Sequence, residues 1–170
     1  HPRVRRQRQM CIRDRIYGVH IHKKFDAAII SNGGAPKDVN LFQSVKGLHN
    51  GGFAMNDGSS VVLCAECFQG FGPEGYRQGF ECESYEKLWE KQSYERYDPE
   101  MAISLLTMRY LWHMKVYLIS GLSDEEVRKA GMIPVKTPEE AWELIKQDKP
   151  ELKELMVLPC GALTCPIVEE

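Results

Sequence analysis

The 170-residue chain is short of several things, and each shortage narrows what it can be. No apolar run approaches the roughly 20 residues of a membrane-spanning helix, so no membrane partner is expected. Histidine is sparse, at 1, 20, 22, 49 and 113, and no His-x-x-x-His pair or comparable metal spacing occurs. Basic residues are scarce outside the first two dozen positions. Residues 1–24 hold eight of the 22 Lys and Arg and one of the 24 Asp and Glu. The remainder carries 14 basic against 23 acidic residues, a formal charge of −9. A nucleic-acid surface should be basic, so no nucleic-acid partner is expected either.

Cysteine stands at 11, 64, 67, 82, 160 and 165, too sparse for a secreted disulfide scaffold and better suited to a reducing, cytoplasmic setting. Cys64-Ala65-Glu66-Cys67 with Cys160 and Cys165 can be drawn as a four-thiolate zinc site. The plainer reading makes Cys64 the inward-facing end of a buried strand and Cys67 a loop residue, with no metal.

Arg3, Arg5, Arg6, Arg8, Arg13 and Arg15 crowd a segment without apolar period, which suggests a basic arm. However, Gln9-Met10-Cys11-Ile12-Arg13-Asp14-Arg15 reads as translated sequencing adapter. Residues 1–15 are therefore set aside as adapter-derived, with Met10 and Ile12 expected outside the core. Residues 16–25 are taken as a junction and 26–170 as one α/β domain whose upstream sequence is missing. A hydrophobic content of 43% suffices for a full core.

The domain is organised around residues 27–46. Ala27-Ala28-Ile29-Ile30 is a short apolar run that suits a strand covered on both faces. Asn32, Gly33 and Gly34 then turn the chain, and Asp38 is placed to cap a helix that buries Leu41, Val45 and Leu48. Asn40, Gln43 and Lys46 fall on an adjoining face. Ligands in open α/β sheets collect outside the carboxyl ends of strands, where helix-start amides favour anions. Gln43 and Lys46 are candidates to grip a carboxylate there, although a solvated helix face is the commoner fate of such residues.

Asn50-Gly51-Gly52 ends that helix, and Asn56-Asp57-Gly58 reads as the turn into a second strand at Val61–Cys64. Residues 73–112 read as helical, broken at Asp98-Pro99. Val116–Ser120, Met132–Val135 and Leu155–Leu158 are further strand candidates. Between them, Ser123 with Glu126 spells a capping box, and Thr137-Pro138-Glu139-Glu140 spells a helix start. The alternation predicts a mostly parallel sheet with helices on both faces, a three-layer, Rossmann-like α/β fold. His49 is placed at a helix C-terminus, where the dipole favours a charged ring.

The order Ser31-Asn32-Gly33-Gly34-x-Pro36-x-Asp38-x-Asn40-Leu41-Phe42-Gln43-x-x-Lys46 closely resembles the C-terminal domain of the nickel-pincer lactate racemase family. Cys64-Ala65-Glu66-Cys67-Phe68-Gln69-Gly70-Phe71-Gly72 resembles the A-E-C-x-x-G-x-G loop of the same family. The resemblance implies the substrate-side domain of a 2-hydroxyacid racemase or epimerase that works by reversible hydride transfer. It makes Phe42, Gln43 and Lys46 substrate-binding residues, and Asn32, Gly33, Gly34, Asp38, Glu66, Gly70 and Gly72 the lining loops. The nickel-pincer nucleotide, its lysine and both histidine bases are implied in an N-terminal domain, with no cofactor bound by this chain alone. Two departures from the family's order point to a 2-hydroxy acid other than lactate, with a larger one among the candidates. Phe42 replaces the commoner tyrosine, and Tyr97-Asp98-Pro99-Glu100-Met101 lacks the family's Asp-Gln-Trp-Gln order. The alternative is a stand-alone α/β module that binds a small anion without catalysis.

Overall fold

A computed structural model describes residues 15–94 and 97–169. The reading of Met10 and Ile12 lies outside the described residues. All five strand candidates belong to one sheet: β2 (Phe25–Ser31), β3 (Met55–Cys64), β4 (Met114–Ile119), β5 (Ile133–Pro134) and β6 (Met156–Leu158). Their order across the sheet is β5-β4-β3-β2-β6, and every pairing is parallel. The central register sets Ala28 beside Val61 and Val61 beside Val116, so like-facing residues form rows. The chain moves outward from β2 to β5 and then returns to lay β6 on the other side of β2.

Among the described residues, six helices connect these strands: α1 (Leu41–Gly52), α2 (Glu74–Gly79), α3 (Tyr85–Tyr94), α4 (Pro99–His113), α5 (Asp124–Lys129) and α6 (Pro138–Asp148). Successive strand residues point to opposite faces. Ala28, Ile30, Val61, Leu63, Val116 and Leu118 face a large core with Leu41, Val45 and Leu48 of α1, Tyr76 of α2 and Val127 of α5. Ala27, Val62 and Tyr117 face the other way, onto Ala141 and Ile145 of α6. The result is a three-layer α/β arrangement, thick on one side and a single helix deep on the other.

Local signals hold where the chemistry is local. Ser123 and Glu126 make both halves of their capping box, Thr137 accepts from the Glu140 amide at 3.1 Å, and Asp98 caps α4 ahead of Pro99. Two expectations are corrected. Within the span read as a junction lies β1 (Gly18–Ile21), which pairs in parallel with β7 (Cys165–Val168), the strand formed by the C-terminal tail. His20 and His22 both reach the Glu169 carboxylate across this small sheet, at 2.8 and 3.2 Å. Asn56, Asp57 and Gly58 form no turn before a strand but a bulge inside β3, because Phe25 pairs with Met55 and Ala27 already with Ser60.

Candidate functional site

At the carboxyl edge of the sheet, the loops after β2 and β3 are laced together by backbone hydrogen bonds. The Cys67 amide donates to the Asp38 carbonyl at 2.8 Å and the Gln69 amide to the Val39 carbonyl at 2.7 Å. In return, the Leu41 and Phe42 amides donate to the Gly70 and Phe71 carbonyls, each at 3.2 Å. The two loops thus behave as one platform. Gly72 is required in it: its φ is +117°, and an added Cβ would stand 2.7 Å from Phe42 Cβ.

This lacing corrects the expectation of free helix-start amides. Leu41 and Phe42 spend theirs on the second loop, and Gln43 spends its own on the Asn40 side chain at 2.9 Å. Asn40 is therefore the cap of α1, not Asp38. Asp38 is buried, and its carboxylate accepts from the Glu66 amide at 3.3 Å. A cap needs an acceptor just before the helix, and both Asp38 and Asn40 qualify by type. The tertiary bond to Glu66 decides between them.

Asn32 does not line the open edge either. It is 2% exposed and donates its Nδ2 to the Ser44 carbonyl at 2.7 Å and the Lys37 carbonyl at 3.3 Å. Its Oδ1 lies where a side chain on Gly47 would stand, 2.0 Å from an added Cβ. Asn32 therefore acts as a tie rod between the glycine loop and α1. Gly33 and Glu66 are exposed, and Gly34, Gly70 and Gly72 are half-buried.

The structure brings Gln43 and Lys46 together on α1. The Lys46 ammonium donates to Gln43 Oε1, with Lys46 exposed and Gln43 half-buried. With Oε1 so engaged, the Gln43 Nε2 protons and the remaining Lys46 protons are donors for a further acceptor. Phe42 is half-buried and set edge-on against Tyr76, ring centroids 5.4 Å apart. Tyr76 in turn meets Phe71 and Phe80 at 5.6 and 5.2 Å. The ring of Phe42 is thus a packing group that holds the start of α1 in place.

Two further segments reach this edge that the sequence did not place there. Pro159 and Cys160 follow β6 and are exposed, and the Cys160 Sγ stands 3.2 Å from where a Gly33 side chain would begin. Gly121, after β4, donates its amide to the Glu66 carbonyl at 2.8 Å. Their signal lies in strand order, since β6 becomes a neighbour of β2 only in the assembled sheet. The cysteine reading is reversed: Cys64 is half-exposed, while Cys67 is buried at a φ of +56° with its Sγ 3.6 Å from the Ser44 hydroxyl. Burial pushes the Cys67 thiol up to about 11, so it is inert as a nucleophile. His49 is also reread. It is buried, burial pushes its ring down to about 4, and its Nε2 lies 3.2 Å from the Thr107 hydroxyl. A neutral, packed ring replaces the charged one that the helix dipole suggested.

Among the described residues, no three His, Cys, Asp or Glu side chains gather where they could hold a metal ion, and no helix is long and apolar enough to cross a membrane.

Comparison with known proteins gives this edge a family. The family model described as lactate racemase C-terminal domain matches residues 21–164. The lactate racemase of Thermoanaerobacterium thermosaccharolyticum is 30% identical over 144 residues, which cover 82% of this chain and 34% of that protein. The lactate racemase of Lactiplantibacillus plantarum is 27% identical over 141 residues, covering 80% and 33%. The apoprotein structure of the T. thermosaccharolyticum enzyme superposes with a TM-score of 0.80 over 94% of this chain and 39% of that one. A Thermotoga maritima protein, 13% identical with a TM-score of 0.57 and coverage of 92% and 40%, shares the fold. The chain spans about a third of the length of the curated relatives it matches. With the parallel sheet and the matched span in agreement, the chain belongs to the lactate racemase C-terminal domain family.

Proposed function

We propose that this chain is the substrate-side domain of a 2-hydroxyacid racemase or epimerase of the nickel-pincer type, and that Lys46 and Gln43 hold the substrate carboxylate. The observation that carries the reading is their pairing on α1 beside the laced loops, with Lys46 exposed and no carboxylate against it among the described residues. A carboxylate placed there takes a charge-assisted bond from Lys46 and a second from the Gln43 amide, which together orient a 2-hydroxy acid.

The donor set of this chain does not suit the metal itself. Cys64, which ends β3, and Cys160, which follows β6, are the accessible thiols of the carboxyl edge and belong to strands on opposite sides of β2. Two strand spacings, about 10 Å, separate such positions, too far for a shared ion. On this reading the nickel-pincer nucleotide and the bases belong to the rest of the full-length enzyme, and this chain binds and orients. A stand-alone anion-binding module is less well supported, because the first amides of α1 are already spent on carbonyls and on Asn40.

Two outcomes are expected. The 170-residue chain alone interconverts no 2-hydroxy acid, since positioning between two walls supplies much of such a rate. In a chimera that gives residues 21–164 the remaining two thirds of the T. thermosaccharolyticum enzyme, Lys46→Ala lowers kcat/KM for 2-hydroxy acids more than tenfold. That corresponds to about 1.5–3 kcal/mol for a bond to a charged group. Stereochemical interconversion followed by polarimetry reads both. Turnover by the chain alone, or unchanged kinetics of the variant in an active chimera, contradicts the proposal.

A further inference from the structure

The strand order of the main sheet reverses at β2. From there the chain steps outward through β3, β4 and β5, and then lays β6 on the other side of β2. Crevices for ligands form outside the carboxyl ends of strands at such a reversal. The lacing between the β2 and β3 loops closes one side of the β2 loop, which leaves the β6 side. Here the loop after β6 is packed on α1. An added Cβ on Gly161 would stand 3.0 Å from Gly47 Cα, and Asn50 Nδ2 donates to the Gly161 carbonyl at 2.8 Å. Gln43, Gly47 and Asn50 fall at i, i+4 and i+7, on one stripe of the helix. Gln43 therefore heads the stripe on which the β6 loop is seated. Cys160, just before Gly161, also meets the glycine loop, its Sγ 3.2 Å from where a Gly33 side chain would begin.

The chemistry of the β6 loop names what it can receive. In a chain with 27% charged residues, positions 155–168 carry no charge, and neither do positions 27–36 of β2 and the facing loop. Pro159, Cys160 and Leu163 are exposed on the β6 loop, Leu163 to 44%. Its polar groups are turned to its own backbone: the Thr164 hydroxyl and the Leu163 amide both donate to the Cys160 carbonyl at 2.9 Å. Lys37, the next cation along the glycine loop, precedes Asp38, which the Cys67 and Glu66 amides hold toward β3. A ligand whose carboxylate is held by Lys46 and Gln43 thus meets an uncharged, apolar wall beside Gln43. A second carboxylate set against that wall would lose water without gaining a cation. We propose that the β6 loop, through Pro159, Cys160 and Leu163, is the specificity wall for the substituent on the reacting carbon. The substrate class is then a 2-hydroxy monocarboxylate with an apolar substituent, and dicarboxylates are rejected. This inference rests on the seat of Lys46 and Gln43 proposed above.

Iodoacetamide alkylation of the 170-residue chain, mapped by peptide mass spectrometry, tests the placement of the wall. Saturating 2-hydroxyisocaproate slows alkylation of Cys160 by about fivefold or more, while malate leaves it unchanged. Cys64, packed toward the α6 layer, is the internal control and keeps its rate with both acids. The chimera described above tests the substrate class. Cys160→Arg supplies the missing cation and raises the kcat/KM ratio of malate to 2-hydroxyisocaproate by about tenfold or more. The seat and the wall fail separately. Protection of Cys160 that survives Lys46→Ala contradicts the seat and supports the wall. An unprotected Cys160 in a chain whose Gln43 and Lys46 resonances respond to the acid overturns the wall. Equal protection by malate, or an unchanged ratio in an active Cys160→Arg chimera, overturns the apolar class.

Discussion

Tyr76→Ala is expected to destabilise the domain by about 3–5 kcal/mol, the range for emptying a buried aromatic site. Tyr76 is fully buried, and its ring is the hub on which Phe42, Phe71 and Phe80 converge. No small movement closes such a hole, because the three rings approach from different elements: the start of α1, the loop after β3 and the end of α2. Tyr76→Phe is the informative control. The hydroxyl is buried near Thr107 without a well-formed hydrogen bond, and burial pushes it far above the usual phenol range. Removing a polar atom that is already unsatisfied costs little, so Tyr76→Phe should be neutral or slightly stabilising. Urea unfolding reads both variants. A loss near 1 kcal/mol for alanine would mean that the aromatic cluster does not support the platform beneath Phe42.

The second large effect is a dependence of stability on pH that belongs to His49. Thr107 donates its hydroxyl proton to the Ile103 carbonyl at 2.8 Å, so its oxygen accepts from His49 Nε2–H. The imidazole also stacks on Tyr110, centroids 5.2 Å apart, and the Tyr110 hydroxyl donates to the His49 carbonyl at 3.0 Å. Burial lowers the ring from 6.5 to about 4 in the folded protein. Between those values the unfolded chain binds a proton that the folded one refuses, so stability falls as pH falls. The contribution of the neutral ring is complete above pH 6.5 and is lost on acidification toward about pH 4, where the loss reaches about 3 kcal/mol.

His49→Gln keeps a donor for Thr107 and removes the titration. The variant is expected to be less stable at neutral pH, having lost the stack on Tyr110. Between about pH 7 and about pH 4.5 it should nevertheless lose about 2–3 kcal/mol less than the parent. Carboxylates titrate equally in both proteins, so the difference between their unfolding curves isolates His49. Parallel curves would show that the ring is solvated enough to take its proton in the fold.

What was legible in the sequence was chemistry confined to a few neighbours. Ser123 with Glu126, and Thr137 ahead of Pro138, state their helix starts within one turn, and both stand as written. The strands of the main sheet were legible as apolar runs because a covered parallel strand has no polar face to confuse it. The order Ser31 to Lys46 carried the family, which the matched span from 21 to 164 bears out. What was not legible was settled by partners distant in the chain. Nothing near Gly18–Ile21 tells that Cys165–Val168 will lie beside it. Asp38 and Asn40 are equal candidates for a cap until the Glu66 amide claims the first. Cys64 and Cys67 exchange roles because the loop turns at a positive φ on Cys67 and swings its thiol onto Ser44. Asn32 reads as a loop residue facing ligand, yet the missing Cβ of Gly47 opens a space that takes its side chain inward.

The central claim, that Lys46 and Gln43 form a carboxylate seat, is tested most directly by nuclear magnetic resonance on the 170-residue chain. The Gln43 side-chain amide and the Lys46 ammonium are followed during titration with lactate, with lactamide as the uncharged counterpart. The account predicts saturable shifts centred on those two side chains with lactate, none with lactamide, and none at Gln43 in Lys46→Ala. Shifts that match those of an equal concentration of chloride, or that centre on another part of the surface, would contradict it.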